Sequence, residues 1–348
     1  MQPNFSTKMI AKVKDGINFF SKLSTRKVLN YAALLLSYKI SGWTKKNFHR
    51  GMPFSISYEP TTSCNLRCPE CPSGLRSFTR PTGMLEMDLY KKVIGQLAPS
   101  LAYLTLYFQG EPYLHPGFFE LVRYAHLNNI YISTSTNGHY LTEEVAKKTV
   151  ESGLDRLIIS IDGTTQETYE SYRVGGKLSK VLEGTRNIVY WKKKLKSSKP
   201  YVIFQFLVVG PNEHQIDDVS KLAAELGVDN VLYKTAQIYD YENGSALIPQ
   251  NDKYARYIRK EDGKYHLKNA LDDNCWKMWH SCVITWDGKV VPCCFDKDGE
   301  YVLGKLNEKS FKEVWKNRSY AEFRNSLLKG RDQIEICRNC SEGTRVWA

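Results

Sequence analysis

Two periodicities alternate along most of this chain. Residues 54–59 read Phe-Ser-Ile-Ser-Tyr-Glu, apolar and polar in turn, as in a strand with one covered face. Strand-like segments follow at 101–108, 130–135, 157–161, 201–209 and 230–235, and between them lie helical patterns at 86–97, 116–127, 142–152, 178–195 and 214–226. Recurrent strand–helix units with parallel strands predict an α/β fold.

The flanks differ from this repeat. Residues 1–50 mix apolar positions (Ile17, Phe19, Phe20, Leu23, Val28, Leu34 to Leu36) with Lys12, Lys14, Lys22, Arg26 and Lys27, a basic helical extension. No run is long enough for a membrane span. The end of the chain, from about residue 241, carries six of the nine cysteines and Trp276, Trp279, Trp286 and Trp315. At 348 residues the chain exceeds one ordinary core. The expected organisation is therefore an extension over 1–50, an α/β domain over 51–240 and a cysteine-rich domain over 241–348.

Cys64, Cys68 and Cys71 stand in a C-x3-C-x2-C run. Three thiolates can bind a metal centre and leave one position open. A closed [4Fe–4S] site takes four cysteines, and a structural zinc site would need a distant fourth ligand. Unligated buried thiols are the plainest reading, but Pro69 and Pro72 break any helix around the triplet.

This run, placed after the strand at 54–59, resembles the cysteine loop of the radical S-adenosylmethionine (SAM) superfamily. The resemblance implies a partial (β/α)6 barrel, a partial TIM barrel. It also implies a [4Fe–4S] cluster on Cys64, Cys68 and Cys71 whose open iron takes the amino and carboxylate groups of SAM. Reductive cleavage of SAM would yield a 5′-deoxyadenosyl radical that abstracts a hydrogen atom. Glu70 departs from the apolar or aromatic residue usual beside the adenine, where its backbone would still serve. Gln109-Gly110-Glu111-Pro112 is similar to the family's G-G-E-P turn, with Glu111 accepting from the SAM ammonium. The strand carrying Ser133 runs into Thr136-Asn137-Gly138, resembling a T-N-G end near SAM. Ser160 and Asp162 match positions near the ribose hydroxyls, and Arg173 matches an arginine that pairs with the SAM carboxylate.

Cys275, Cys293, Cys337 and Cys340, with Gly288 between the first two, resemble the auxiliary-cluster domain called twitch, a shortened relative of SPASM. The resemblance implies a second [4Fe–4S] cluster on these four, with a hairpin around Trp286-Asp287-Gly288-Lys289 drawing the first two together. Asp-Gly favours a tight hairpin turn in any family. Cys282 and Cys294 are left over, as buried thiols or as a hydrogen-atom donor. A disulfide scaffold is disfavoured, because no signal peptide is visible and an oxidising compartment would endanger an open cluster. The expected location is the cytoplasm, with peripheral contact at the inner membrane face through residues 1–50.

The formal charge of +12 is uneven: residues 1–50 hold ten Lys or Arg and one acid, Asp15, a net +9. No basic stripe spans the remainder, which argues against nucleic acid. Basic amphipathic helices lie on anionic membranes or dock on acidic partners, or pack on the barrel with the basic face solvated. The expected activity is a radical SAM enzyme, an oxidoreductase acting on a small hydroxylated or lipid-linked substrate and fed by a flavodoxin- or ferredoxin-like reductant. A basic lip beside the mouth would suit a lipid head group. A peptide maturase or epimerase is the first alternative, set back by the want of a leader-binding module, and an iron–sulfur electron carrier or scaffold is the second. No catalytic base is identified among His115, His139 and Glu213.

Overall fold

The computed structural model describes residues 5–268 and 272–340. In chain order the elements are α1 (Phe5–Ser21), α2 (Thr25–Thr44), β1 (Ser55–Tyr58), α3 (Pro72–Leu75), α4 (Met87–Leu97), β2 (Tyr103–Thr105), α5 (Phe118–Leu127) and β3 (Tyr131–Thr136). There follow α6 (Glu143–Glu151), β4 (Arg156–Ser160), α7 (Gln166–Tyr172), α8 (Leu178–Lys194), β5 (Tyr201–Val208), α9 (Ile216–Leu226) and β6 (Asn230–Thr235). The last part contains β7 (Tyr257–Arg259), β8 (Tyr265–Leu267), α10 (Trp276–His280), β9 (Val283–Ile284), β10 (Lys289–Val291), β11 (Gly304–Lys305), α11 (Phe311–Trp315), α12 (Arg318–Lys329) and α13 (Glu335–Arg338).

Strands β1 to β6 lie side by side in sequence order and pair in parallel. Every residue of β3 is buried, as expected of a parallel strand covered on both faces. Leu104, Ile132, Leu157, Val202 and Phe204 share one core with Val93, Ile94, Leu121 and Val122 of α4 and α5. All six expected strands and all five expected helices are present, forming an open, partial barrel whose edge strand β6 is only half covered.

The sheet does not stop at the expected boundary near 241. β9 pairs in parallel with the free side of β1, and β10 and β11 continue antiparallel, giving nine strands in one sheet. The Asp287-Gly288 turn forms as expected: Thr285 N donates to Lys289 O at 3.0 Å and Gly288 has φ +82°. The cysteine-rich part is thus built onto the barrel edge.

Helix α1 closes the amino ends of the strands. Asn18 Nδ2 donates to Asp155 Oδ1 at 2.9 Å, Asp15 pairs with Arg156 and accepts from Tyr131 OH, and Phe19 packs edge-on to Tyr131. Helix α2 lies along α10, with Tyr38 between Trp276 and Trp279. The basic extension is therefore a packed part of the fold, at the end of the sheet opposite the cysteine loop. It forms no basic lip around the mouth.

Asp155 ties three elements together: besides Asn18 it accepts from Ile132 N and Lys199 Nζ, both at 2.9 Å. Asp155→Ala strands the buried Ile132 N–H and removes the partner of two part-buried donors, and should lower the unfolding free energy by about 2–3 kcal/mol. The check is the urea midpoint, and an unchanged midpoint would show that α1 is not anchored through this carboxylate.

Candidate active site

The loops at the carboxyl ends of β1 to β5 converge on one cleft. Cys64, Cys68 and Cys71 line it together with Glu70, Gln109, Gly110, Glu111, Asn137, Ser160 and Arg173. Ligands in open α/β sheets bind at this end. The cysteine loop is held there by close packing. A Cβ on Gly110, whose φ is +72°, would lie 2.3 Å from Thr61 O, and one on Gly74 would lie 2.6 Å from the Cys68 backbone. Both positions require glycine.

Each thiol has a polar neighbour. Asn137 Nδ2 lies 3.9 Å from Cys64 Sγ, Arg173 Nη1 lies 3.8 Å from Cys68 Sγ, and Cys71 Sγ donates to Gln109 Oε1 at 3.8 Å. Burial pushes the Cys64 thiol up to about 11, and the charges of Glu111, Cys71 and Cys68 add to the rise. Burial also raises Cys68, against the pull of Arg173. A metal centre would displace these protons. Among the described residues no three His, Cys, Asp or Glu side chains are grouped for a single ion. The three thiols instead stand around a cleft, a donor set that fits a cluster with one open iron.

Glu111 is 1% exposed and accepts from Asn137 N at 2.7 Å, Thr136 Oγ1 at 2.8 Å and Tyr113 N at 3.2 Å. Burial raises its pKa to about 7 despite these donors. A carboxylate accepts about four hydrogen bonds, so one direction is left for a cationic group in the cleft.

Two expected residues are placed differently, and a third is already engaged. Ser133 does not line the cleft: Ser135, one pleat nearer the carboxyl end of β3, takes that place. Asp162 lies beyond β4 and faces away, accepting from Arg173 Nε at 2.5 Å and Leu207 N at 2.7 Å. It orients Arg173. Glu70 lines the cleft, but its backbone carbonyl accepts from Lys297 Nζ at 3.4 Å and its carboxylate from Tyr239 N at 3.0 Å. Of the residues considered as a base, none lines the cleft. Both ring nitrogens of His115 are engaged, by Leu85 O and Gly117 N, as are those of His139, by Asn137 and Lys177 N, while Glu213 caps Gln250 and Asn251.

Sequence reasoning missed Tyr107, Gln205 and Lys297 in the lining. Gln205 carried a signal, as the one polar residue inside the apolar strand 201–209. It pairs with Ser160 across β4 and β5. Lys297 comes from the cysteine-rich part and stands over the Tyr239 ring at 4.6 Å. It also lines a neighbouring open cleft of about 440 Å³, walled by Tyr239, Tyr241, Glu242, Asp298, Glu335 and Arg338.

Cys275, Cys293, Cys337 and Cys340 line a second, apolar cavity with Met278, Phe323, Leu327 and Ile336. Arg331, 1% exposed, donates to Cys340 Sγ at 3.0 Å, and its Nε has no partner. Arg256, 6% exposed, donates to Thr235 and Asn339 backbone oxygens. Neither makes an ion pair with a carboxylate among the described residues. Buried cations of this kind need a counter-charge, and four thiolates on an iron–sulfur cluster would provide it. Cys294 lies outside this cavity and accepts from Lys277 Nζ at 3.3 Å. Cys282 is also outside, packed by Tyr320 and Arg324, with burial pushing its thiol up to about 12.

The comparisons with known proteins agree with this geometry. The radical SAM superfamily profile matches residues 58–223, and that of an iron–sulfur cluster-binding domain, SPASM, matches residues 275–341. The chain is 27% identical over 323 residues to an AdoMet-dependent heme synthase of Methanosarcina barkeri, covering 83% of this chain and 91% of that protein. It is 26% identical over 315 residues to a PqqA peptide cyclase of Gluconobacter oxydans, covering 85% and 84%. In fold it is similar to Streptococcus suis SuiB bound to S-adenosylmethionine, with a TM-score of 0.61 at 12% identity, covering 85% of this chain and 73% of that one. The chain belongs to the radical SAM superfamily and carries a C-terminal SPASM iron–sulfur cluster-binding domain.

Proposed function

We propose that this radical SAM enzyme modifies a peptide, taking a hydrogen atom from a C–H bond of a segment laid in the cleft beside the SAM site. The observation that carries the reading is the position and lining of that cleft. It is open, it adjoins the thiol-lined cleft through Pro72 and Lys297, and charged side chains wall it. Charged groups of both signs spaced along its wall beside two tyrosine rings suit a polymer held at several points. Similarity to a protein named as a peptide cyclase supports the same class.

In this reading Cys64, Cys68 and Cys71 hold the catalytic cluster and Cys275, Cys293, Cys337 and Cys340 the auxiliary one. With SAM bound, the first supplies the electron and SAM the hydrogen-abstracting radical. The chain's own residues position the reactants. Glu111 takes the SAM ammonium, Arg173, braced by Asp162, takes the carboxylate, and Asn137, Ser160 and Gln205 complete the wall. Arg331 and Arg256 beside the auxiliary thiols stabilise added negative charge there, which raises the reduction potential. The outcome this favours is a product that has lost electrons as well as hydrogen, an oxidoreductase reaction. A flavodoxin- or ferredoxin-like protein is the reductant.

The test is anaerobic incubation of the reconstituted protein with SAM, dithionite and separate peptide and metabolite fractions of the producing cell, grown in ordinary and deuterated medium. Deuterium should enter 5′-deoxyadenosine with the peptide fraction, and a peptide should lose two hydrogens. Transfer only from the metabolite fraction would overturn the peptide reading and restore a small hydroxylated or lipid-linked substrate.

Two further outcomes follow from the residue roles. Changing Cys64, Cys68 and Cys71 together to Ala should remove about half of the roughly eight irons expected from two four-iron clusters, and Cys337→Ala should disturb the other half. Iron content near four that Cys337→Ala leaves untouched would refute two clusters. Glu111→Ala and Arg173→Ala should keep the cluster absorbance yet weaken SAM binding by roughly 1.5–3 kcal/mol each. Equilibrium dialysis of SAM reads this, and unchanged affinity in both variants would refute the assigned roles.

A further inference from the structure

The two amino-terminal helices are inside out. A helix on a globular protein normally turns its apolar stripe to the core. Helix α2 buries Lys27, Ser37 and Ser41 beside Leu34, with the Tyr31 and Tyr38 rings packed on Trp276. Its outer face carries Leu29 at 65% exposure, Leu36 at 60% and Trp43 at 87%. Helix α1 repeats the pattern: Asp15 and Asn18 reach into the barrel, while Met9, Val13, Ile17 and Phe20 are each more than half exposed. Steps of three and four residues keep these side chains on one stripe per helix.

The inward polar faces are fully engaged. Ser37 Oγ accepts from Arg50 N at 2.9 Å, Ser41 Oγ from Phe48 N at 2.8 Å, and Lys27 Nζ donates to Asn129 O at 2.6 Å. Rotating either helix to bury its apolar stripe would break these bonds. The apolar faces are therefore held outward by the fold, and exposed apolar surface on this scale marks an interaction site.

We infer that this face seats the protein on an anionic lipid bilayer. The same helices and their flanks expose Lys12, Lys14, Arg26, Lys39, Lys45 and Lys46, while the one acid of residues 5–50, Asp15, is buried. A second copy of this chain would bring these cations against one another, whereas a bilayer with anionic head groups accepts the apolar stripes and the charge together. Trp43, flanked by Lys45 and Lys46, has the amphipathic ring that concentrates at the head-group level. No helix among the described residues is long and apolar enough to cross a membrane. The contact is thus a surface one. It lies at the amino end of the sheet, so the cysteine-lined cleft at the carboxyl end stays open to water.

The inference is independent of the SAM chemistry, and so is its test. The full chain is floated with phosphatidylcholine vesicles and with vesicles enriched in phosphatidylglycerol. It should co-float with the anionic vesicles and lose the association as salt rises. A Phe20→Glu, Leu36→Glu variant, altered only at exposed positions, should lose about tenfold or more of that binding, as should Lys45→Glu, Lys46→Glu. Both variants should keep wild-type circular dichroism and iron content, which separates lost docking from lost folding. Absence of flotation by the wild type, equal flotation by the variants, or equal flotation on phosphatidylcholine alone would overturn the inference. So would a dimer in light scattering that Phe20→Glu, Leu36→Glu dissolves without vesicle binding, which would assign the face to self-association.

Discussion

The active end of this protein is organised around one buried carboxylate. The parallel register of β1 with β2 sets the cysteine loop against the Gln109-Gly110-Glu111 turn, and Glu111 N donates to Ser63 O at 2.7 Å. The Glu111 side chain then accepts from Thr136 and Asn137 at the end of β3. One residue thus fastens the ends of three strand units, to the cysteine loop through its backbone and to the end of β3 through its side chain. Only glycine at 110 allows the turn to approach the Thr61 carbonyl so closely. The three donors on Glu111 also explain its poise. Desolvation raises its pKa to about 7, and the hydrogen bonds restrain the rise. A cation arriving in the cleft supplies what the burial has withheld.

The barrel was legible because parallel strands and amphipathic helices leave different periods in the sequence. The site was legible where short motifs carry the chemistry: the three cysteines, Glu111, Asn137 and Arg173 all face the cleft. It was less legible where facing depends on depth along a strand. Ser133 and Ser135 share a face of β3, and pattern alone does not say which pleat reaches the ligand. Asp162 reads as a ligand group by position, yet Arg173 and Leu207 N occupy its oxygens. Strand β9, two residues long, leaves no periodic signal, so its pairing with β1 was invisible.

The N-terminal helices show another limit. Periodicity identifies which residues share a stripe, but the direction of the stripe depends on what the other face can bond to. Here Asn129, Phe48 and Arg50 offer backbone partners to Lys27, Ser41 and Ser37, and the polar faces turn in. The amphipathic pattern was read correctly, and its orientation came from long-range hydrogen bonds that no local window contains.

Charge in this molecule is therefore segregated by the axis of the sheet. At the amino ends of the strands lie exposed lysines and apolar stripes, and at the carboxyl ends lie the thiols and the open cleft. That cleft carries Glu242, Asp298 and Glu335 against Lys297 and Arg338. A phosphate backbone would meet several carboxylates there and would gain little from counterion release. The net charge of +12 thus belongs mainly to residues 1–50, away from that cleft. In the proposed reading, selection of the substrate falls to the acids and aromatic rings of the cleft. The nearest of these, Tyr239, is bonded through its backbone N–H to the Glu70 carboxylate, next to Cys71. The 237–242 segment and the cysteine loop are thus tied to one another by a hydrogen bond at the junction of the two clefts.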